Sequence, residues 1–97
     1  MGVSKNLRTT PRKIRIWASR EQSQYIKTKP IHPSQQLVSE DPTDHSCIFS
    51  IRVVINFELY SVLLSYGPGI RVLSPARVAR AMQEQLQAAL AQYESAK

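Results

Sequence analysis

The side chains that could perform nucleophilic or metal chemistry are few and lie far apart along the sequence. Cys47 is the only cysteine, and His32 and His45 are the only histidines. A metal site needs several such ligands at a suitable spacing, and these three fall in different segments without a paired motif. Cys47 begins an alternating apolar run, which favours a buried, inert thiol over a nucleophile. The sequence therefore predicts no catalytic residue, no metal site, no cofactor and no enzymatic activity.

The run from His32 to Gln35 is the most unusual polar segment, with an imidazole, a hydroxyl and an amide next to two prolines. One interpretation is a rigid connection in which Ser34 and Gln35 bond to nearby backbone groups. The other is a polar contact surface for a ligand or a neighbouring domain. Local bonding is what such turns usually do, so residue chemistry favours the first interpretation. Under the second, His32 and Gln35 are candidate contact residues.

Positive charge is concentrated at the start of the chain. The formal net charge is +6, and eight lysines and arginines precede His32 with only Glu21 against them. Such asymmetry can indicate a nucleic-acid or other phosphate-rich partner, because each neutralised phosphate releases counterions. A solvated tail followed by one basic strand explains the same charges without a partner.

Alternating and helical periodicities predict four strands and three helices that must position these groups. Strands are predicted over residues 13–18, 34–40, 47–55 and 70–73, and helices over 20–27, 56–66 and 75–93. Their order is that of an α+β, ferredoxin-like split βαβ fold (βαββαβ) with an additional C-terminal helix. Residues 1–11 lack apolar periodicity and are predicted to be a flexible lead-in or linker remnant, and residues 12–97 form one domain.

The inward faces of these segments predict the core, and three polar or small residues predict the helix ends. The expected core comprises Ile14, Ile16, Phe49, Ile51, Val53, Leu59, Leu63, Val72 and Leu86. Ser19 should cap the first helix, with the Gln22 side chain returning to the Ser19 amide. Asn56 should cap the second helix, and Gly67 should end it in the left-handed conformation.

The sheet surface that faces away from the helices is the main candidate for binding. If Ile14 and Ile16 point at the helices, basic and aromatic side chains point away from them. We call this set of five residues the basic face: Lys13, Arg15, Trp17, Arg52 and Arg71. Ser50 is predicted to lie between them on the same surface. A basic sheet with one aromatic residue suits nucleic acid or phosphate. The third strand nevertheless lacks the signature of an RNA-recognition motif, and lysine and arginine stems around a partly covered tryptophan need no ligand.

Most of the chain, from about Arg12 to Tyr93, resembles the C-terminal extension that follows the WYL domain in many bacterial transcriptional regulators. Each matching piece is short, and their order and spacing together carry the resemblance. The pieces are Lys13-Ile14-Arg15-Ile16, Tyr25-Ile26, His32-Pro33-Ser34-Gln35, Asn56-Phe57-Glu58-Leu59, Leu63-Leu64-Ser65-Tyr66-Gly67 and Ile70-Arg71-Val72-Leu73-Ser74-Pro75.

The resemblance implies a domain that binds and assembles within a larger cytoplasmic protein. Its partners would be a winged helix-turn-helix domain, a WYL domain, a second copy of the regulator and a nucleic-acid or nucleotide-like effector. DNA would be read only by the upstream domain, and this extension would assist dimerisation or close over the effector site. No apolar run approaches the ~20 residues of a membrane span. The alternative function is an autonomous nucleic-acid- or nucleotide-binding module.

Overall fold

The computed structural model describes residues 10–95, and within them the predicted order of elements is confirmed. The elements are β1 (Arg12–Ala18), α1 (Arg20–Thr28), β2 (Gln36–Glu40), β3 (Cys47–Val53), α2 (Phe57–Leu64), β4 (Ile70–Ser74) and α3 (Ala76–Ser95). A short 3₁₀ turn over Gly67–Gly69 joins α2 to β4. Most of the predicted lead-in over residues 1–11 lies outside the described residues.

The four strands form one antiparallel sheet in the order β2-β3-β1-β4. Ile14 lies opposite Ile51, and Ile16 lies between Phe49 of β3 and Val72 of β4. Two crossovers through α1 and α2 produce this order from the chain sequence, as the split βαβ arrangement requires. The predicted fold class is confirmed, and the central position of β1 places its residues in the middle of the sheet.

The core lies between one face of the sheet and the three helices. The strands contribute residues such as Ile14, Phe49 and Ile51, which are at most 1% exposed. The helices contribute Ile26, Leu59, Leu63, Val78 and Met82, all buried in the same cluster. Eight of the nine expected core residues are buried, which confirms the assignment of the strand faces.

Leu86 was wrongly expected in the core, since it is 49% exposed. Helix α3 has 20 residues and packs on β4, which has five. At 1.5 Å per helical residue α3 is about 30 Å long, whereas a five-residue strand spans about 17 Å. The first turns of α3 therefore bury Val78 and Met82, and its later turns extend past the sheet.

Helix α1 begins with half of the predicted reciprocal cap. The Gln22 amide donates to Ser19 Oγ over 3.2 Å, as expected. The Ser19 amide instead donates to the Gly69 carbonyl over 2.8 Å, so the expected return bond from Gln22 is wrong. The Gln22 side chain packs against Gly69, where an added Cβ would lie 2.5 Å from Gln22 Cγ. This close approach explains why a glycine stands at position 69.

Helix α2 begins at the predicted cap and ends at Leu64, two residues before the predicted end. Asn56 Oδ1 accepts a hydrogen bond from the Leu59 amide over 2.8 Å, which satisfies one of the free amides at the helix start. Gly67 has a φ of +60°, the left-handed conformation that favours glycine after a helix.

Both edge strands are irregular. The pairing of β2 with β3 shifts register between Leu37 and Ser39, which leaves Val38 in a bulge. The pairing of β4 with β1 shifts between Arg15 and Ile16, which leaves Leu73 unpaired. Leu37 and Val38, the residues that predicted the second strand, are exposed because β2 lies at the edge of the sheet.

Candidate anion-binding interface

The structure brings the five residues of the basic face together on the side of the sheet away from the helices. Lys13 lies opposite Arg52, and Trp17 lies opposite Arg71, so neighbouring strands contribute to the same surface. The four cationic side chains are exposed and Trp17 is half-buried. Alternation along β1 places Arg15 between Lys13 and Trp17, about 6.8 Å from each along the strand.

Arg71 covers the ring of Trp17. Its guanidinium carbon lies 5.1 Å from the ring centroid, which is within cation–π range. A planar guanidinium over an indole gives the basic face a stacked pair in which a second ring can join or replace the guanidinium. The sequence placed both residues on this face but did not predict their contact.

No carboxylate within residues 10–95 pairs with the basic face. The ion pairs in this part of the chain join Lys27 to Glu40 over 3.6 Å and His45 to Glu40 over 3.3 Å. Glu40 lies opposite Cys47, whose side chain belongs to the core, so its carboxylate is on the helix side of the sheet. The positive charge of the basic face is therefore not neutralised by neighbouring acids, which favours attraction of an anion.

The acids at the β2–β3 turn are held by local hydrogen bonds. The hydrogen bond from His45 lowers the pKa of Glu40, and the charge of Lys27 lowers it further. The backbone amide and hydroxyl of Ser46 lower the pKa of Asp44, which accepts bonds of 2.9 and 2.7 Å from them. The carboxylates of Glu40 and Asp44 are thus bound by groups of this turn and by Lys27 of α1, away from the basic face.

A depression opens in the basic face beside β2. Its volume is about 340 Å³, and it is lined by Lys13, Ser34, Gln36, Ser50, Ile51 and Arg52. Ser50 lies in register between Arg15 and Gln36 and is only 6% exposed, so its neighbours cover it on this face. The sequence had placed Ser50 on this surface, and the depression was not predicted.

Ser34 holds the strand end that carries Arg52. Ser34 Oγ accepts a hydrogen bond from the Arg52 amide over 2.7 Å and donates to the Arg52 carbonyl over 3.2 Å. Strand β2 begins only at Gln36, so the hydroxyl takes the place of a backbone partner next to Arg52. The polar turn thus contributes to the basic face through a residue that the sequence assigned only to local bonding.

His32 and Gln35, the other candidate contact residues, bond to their own turn and to α1. The Gln35 side chain accepts from the Ile31 amide over 2.8 Å and donates to the Ile26 carbonyl over 3.2 Å. His32 Nδ1 accepts from the Ser34 amide over 3.1 Å, and the ring lines a separate groove of about 330 Å³ beside α2. The structure does not bring either residue to the basic face, and their bonding agrees with the interpretation of a rigid connection.

The remaining polar chemistry of the described segment is sparse. Cys47 is buried, and its Sγ lies 3.9 Å from the His45 carbonyl. Residues 10–95 contain no group of three histidine, cysteine or acidic side chains placed to hold a metal ion. None of the helices in this range combines the length and the apolar character that crossing a membrane requires.

Comparison with known families identifies a domain family over most of the chain. A family model described as the WCX domain matches residues 10–90, which include every strand and all helices except the end of α3. No curated protein matches the chain.

Proposed function

We propose a function for this chain on the basis of its family. The chain belongs to the WCX domain family, the C-terminal extension of WYL-domain regulators. In this proposal the extension presents its basic face to an anionic effector of nucleic-acid type that it shares with the WYL domain. It also helps to join two copies of the regulator through α3. The uncompensated positive charge of the basic face is the observation that carries the proposal.

The basic face combines the two interactions that single-stranded nucleic acids use. Lys13, Arg15 and Arg52 supply charge for a phosphate backbone, and the Trp17–Arg71 pair supplies a surface for stacking. Three of the five residues lie on β1, which is paired on both sides, so the surface is held on a rigid element. In the proposal, an anion bound there also contacts the WYL domain on its other side. Binding would then favour the arrangement in which both domains contact the anion, which is the physical basis for gating.

Short single-stranded DNA is expected to quench the fluorescence of Trp17 at low salt. Trp17 is the only tryptophan in the chain, so the signal reports this face alone. We expect weak binding whose affinity falls steeply as salt rises, because each phosphate contact contributes a slope of about −0.7 in log–log form. Replacing Arg52 with alanine should weaken the response several-fold, by loss of one phosphate contact.

The matched control is Arg77→Ala, which removes the same charge from the exposed surface of α3. It should leave the titration nearly unchanged. Emission from Trp17 that stays constant with single-stranded DNA, RNA and nucleotides at low salt would exclude the effector role. Micromolar or tighter binding at physiological salt by this domain alone would instead favour an autonomous nucleic-acid-binding module.

The outer part of α3 supports the assembly role. Leu86, Leu90 and Tyr93 lie on one stripe and are 49, 55 and 82% exposed, although the same stripe is buried at Met82. Beyond Met82, α3 continues over residues 83–95, and a helical segment of 13 residues is marginal in water without a partner. An apolar stripe that continues beyond the domain's own core therefore favours a second helix packed against it.

The charged residues that flank this stripe are complementary to those of a second copy of α3 that runs antiparallel. Arg80 and Glu94 are 14 residues apart and flank the stripe on the same side, about 21 Å from each other. In an antiparallel pair centred on Gln87, Arg80 of one copy lies beside Glu94 of the other, and the two-fold axis repeats the contact. This complementarity favours a second copy over a heterologous partner.

A further inference from the structure

We infer that the depression between Lys13 and Arg52 is a subsite for a phosphate monoester. The inference deepens the proposed function and rests on it, because it names the group of the anionic effector that the basic face would bind. Five polar side chains line the depression, and Ser34 is bonded to the Arg52 backbone. The other four are Lys13, Gln36, Ser50 and Arg52. Within the part of the chain that the structure describes, none of them has a hydrogen-bond or ion-pair partner for its side chain. Lys13, Gln36 and Arg52 are exposed and therefore available to a ligand, and Ser50 lies beneath them.

The pairing of Lys13 with Arg52 favours an anion that carries more than one charge. The two residues are direct cross-strand partners, and like charges in this position destabilise a sheet. Within residues 10–95 no acid forms an ion pair with either residue to offset their repulsion. A phosphate monoester carries about −1.5 to −2 charges near pH 7 and three acceptor oxygens, so it can neutralise both cations at once. A phosphate diester carries a single charge and leaves one of them uncompensated.

The hydrogen-bonding groups of the depression fit the same ligand. The exposed Gln36 amide can donate to phosphate oxygens beside the two cations, above the buried Ser50. Ser34 fixes the Arg52 backbone from both its amide and its carbonyl, which keeps the base of the arginine in place. The volume of about 340 Å³ is at the lower end of that of small-molecule sites, which leaves room for the group that carries the phosphate.

Three ligands that share adenine separate the phosphate chemistry from the base. AMP carries a monoester, 3′,5′-cyclic AMP carries a diester, and adenosine carries no phosphate. We expect AMP to shift the backbone amide resonances of Lys13, Ser50 and Arg52 saturably in a low-salt NMR titration. Cyclic AMP should bind about tenfold more weakly, by loss of one charge-assisted contact. Adenosine should leave these resonances unchanged.

The variants Lys13→Gln and Arg52→Gln should each lower the affinity for AMP about tenfold, and Arg77→Gln should not change it. Without ligand, Lys13→Gln should raise the melting temperature by about 1 to 6 °C, because it removes the repulsion with Arg52. A merely structural role for Lys13 predicts a lower melting temperature instead.

Dinucleotides with and without a 5′-phosphate then identify the source of the phosphate monoester. Preference for the phosphorylated one indicates a strand end, and binding of AMP alone indicates a free nucleotide.

Two results would overturn the subsite. One is equal binding of AMP, cyclic AMP and adenosine, and the other is an unchanged AMP affinity in both Gln variants. If either occurs while Arg52-dependent quenching of Trp17 by DNA persists, the proposed effector role stands and only the monoester subsite fails. If DNA gives no quenching and AMP still binds at Lys13 and Arg52, the subsite stands as a nucleotide site and the nucleic-acid role fails.

Discussion

Replacing Ile51 with alanine is expected to lower the free energy of unfolding by about 2 to 5 kcal/mol. Ile51 is 1% exposed on β3, opposite Ile14 and beneath the helices. Truncation removes buried methyl and methylene groups and leaves a cavity that the paired strands cannot close, since β3 has neighbours on both sides. The loss is a large share of the roughly 5 to 15 kcal/mol that stabilises a typical domain. Urea denaturation of both proteins measures it.

Two further variants of β3 keep this prediction testable if the alanine variant does not fold. Ile51→Val should cost about 0.5 to 1.5 kcal/mol, because one methylene group is lost. Ile48→Ala, a half-buried site on the opposite face, should cost less than Ile51→Ala. A loss well under 1 kcal/mol for Ile51→Ala would mean that the two faces of the sheet are assigned in reverse.

Replacing Leu86 and Leu90 together with serine is expected to abolish self-association of the domain. Burial of a leucine contributes about 1.5 to 3 kcal/mol, and a two-fold interface loses each residue twice. The dissociation constant should therefore rise at least about a hundredfold. The fold should survive, because both side chains are already about half exposed in one copy. Sedimentation equilibrium over a range of concentrations measures the change.

Charge exchange across the proposed helix pair tests its direction. Arg80→Glu should weaken association, and Glu94→Arg in the same chain should restore it, because the two residues meet only in the antiparallel arrangement. For the leucine variant, the matched control is Gln85→Ser with Gln92→Ser, which makes two serine substitutions on α3 away from the stripe.

Two results would exclude α3 as the interface. One is a wild-type domain that remains monomeric at high concentration, and the other is an unchanged dissociation constant in Leu86→Ser/Leu90→Ser.

Local periodicity was sufficient to predict the strands and both faces of the sheet. Successive side chains of a strand point to opposite faces of the sheet. The alternation of basic residues with isoleucine from Lys13 to Ile16 therefore identifies both the basic face and the core face. The same alternation in β3 places Arg52 and Ser50 on one face of the sheet and Phe49 and Ile51 on the other. Caps at Ser19 and Asn56 were predictable because each joins a side-chain oxygen to the backbone amide three residues later.

The contacts that shape the candidate site could not be predicted, because they join distant segments. Ser34 bonds to Arg52 across 18 residues, and Arg71 reaches Trp17 only through the pairing of β4 with β1. Neither contact has a local signal in the sequence. Leu86 was misplaced for a related reason: the apolar period of α3 is the same where it packs and where it projects, and period alone does not give the length of the neighbouring strand.

The bulges in β2 and β4 influence how the molecule can aggregate. A sheet with two flat edges can add strands from other molecules without limit and so form fibres. Here each edge strand departs from regular register, at Val38 in β2 and at Leu73 in β4. A bulge twists the edge and interrupts the row of free amides and carbonyls, which opposes such open-ended growth. The proposed helix pair would avoid the sheet edges, and a pair around a two-fold axis is a contact that closes after two copies.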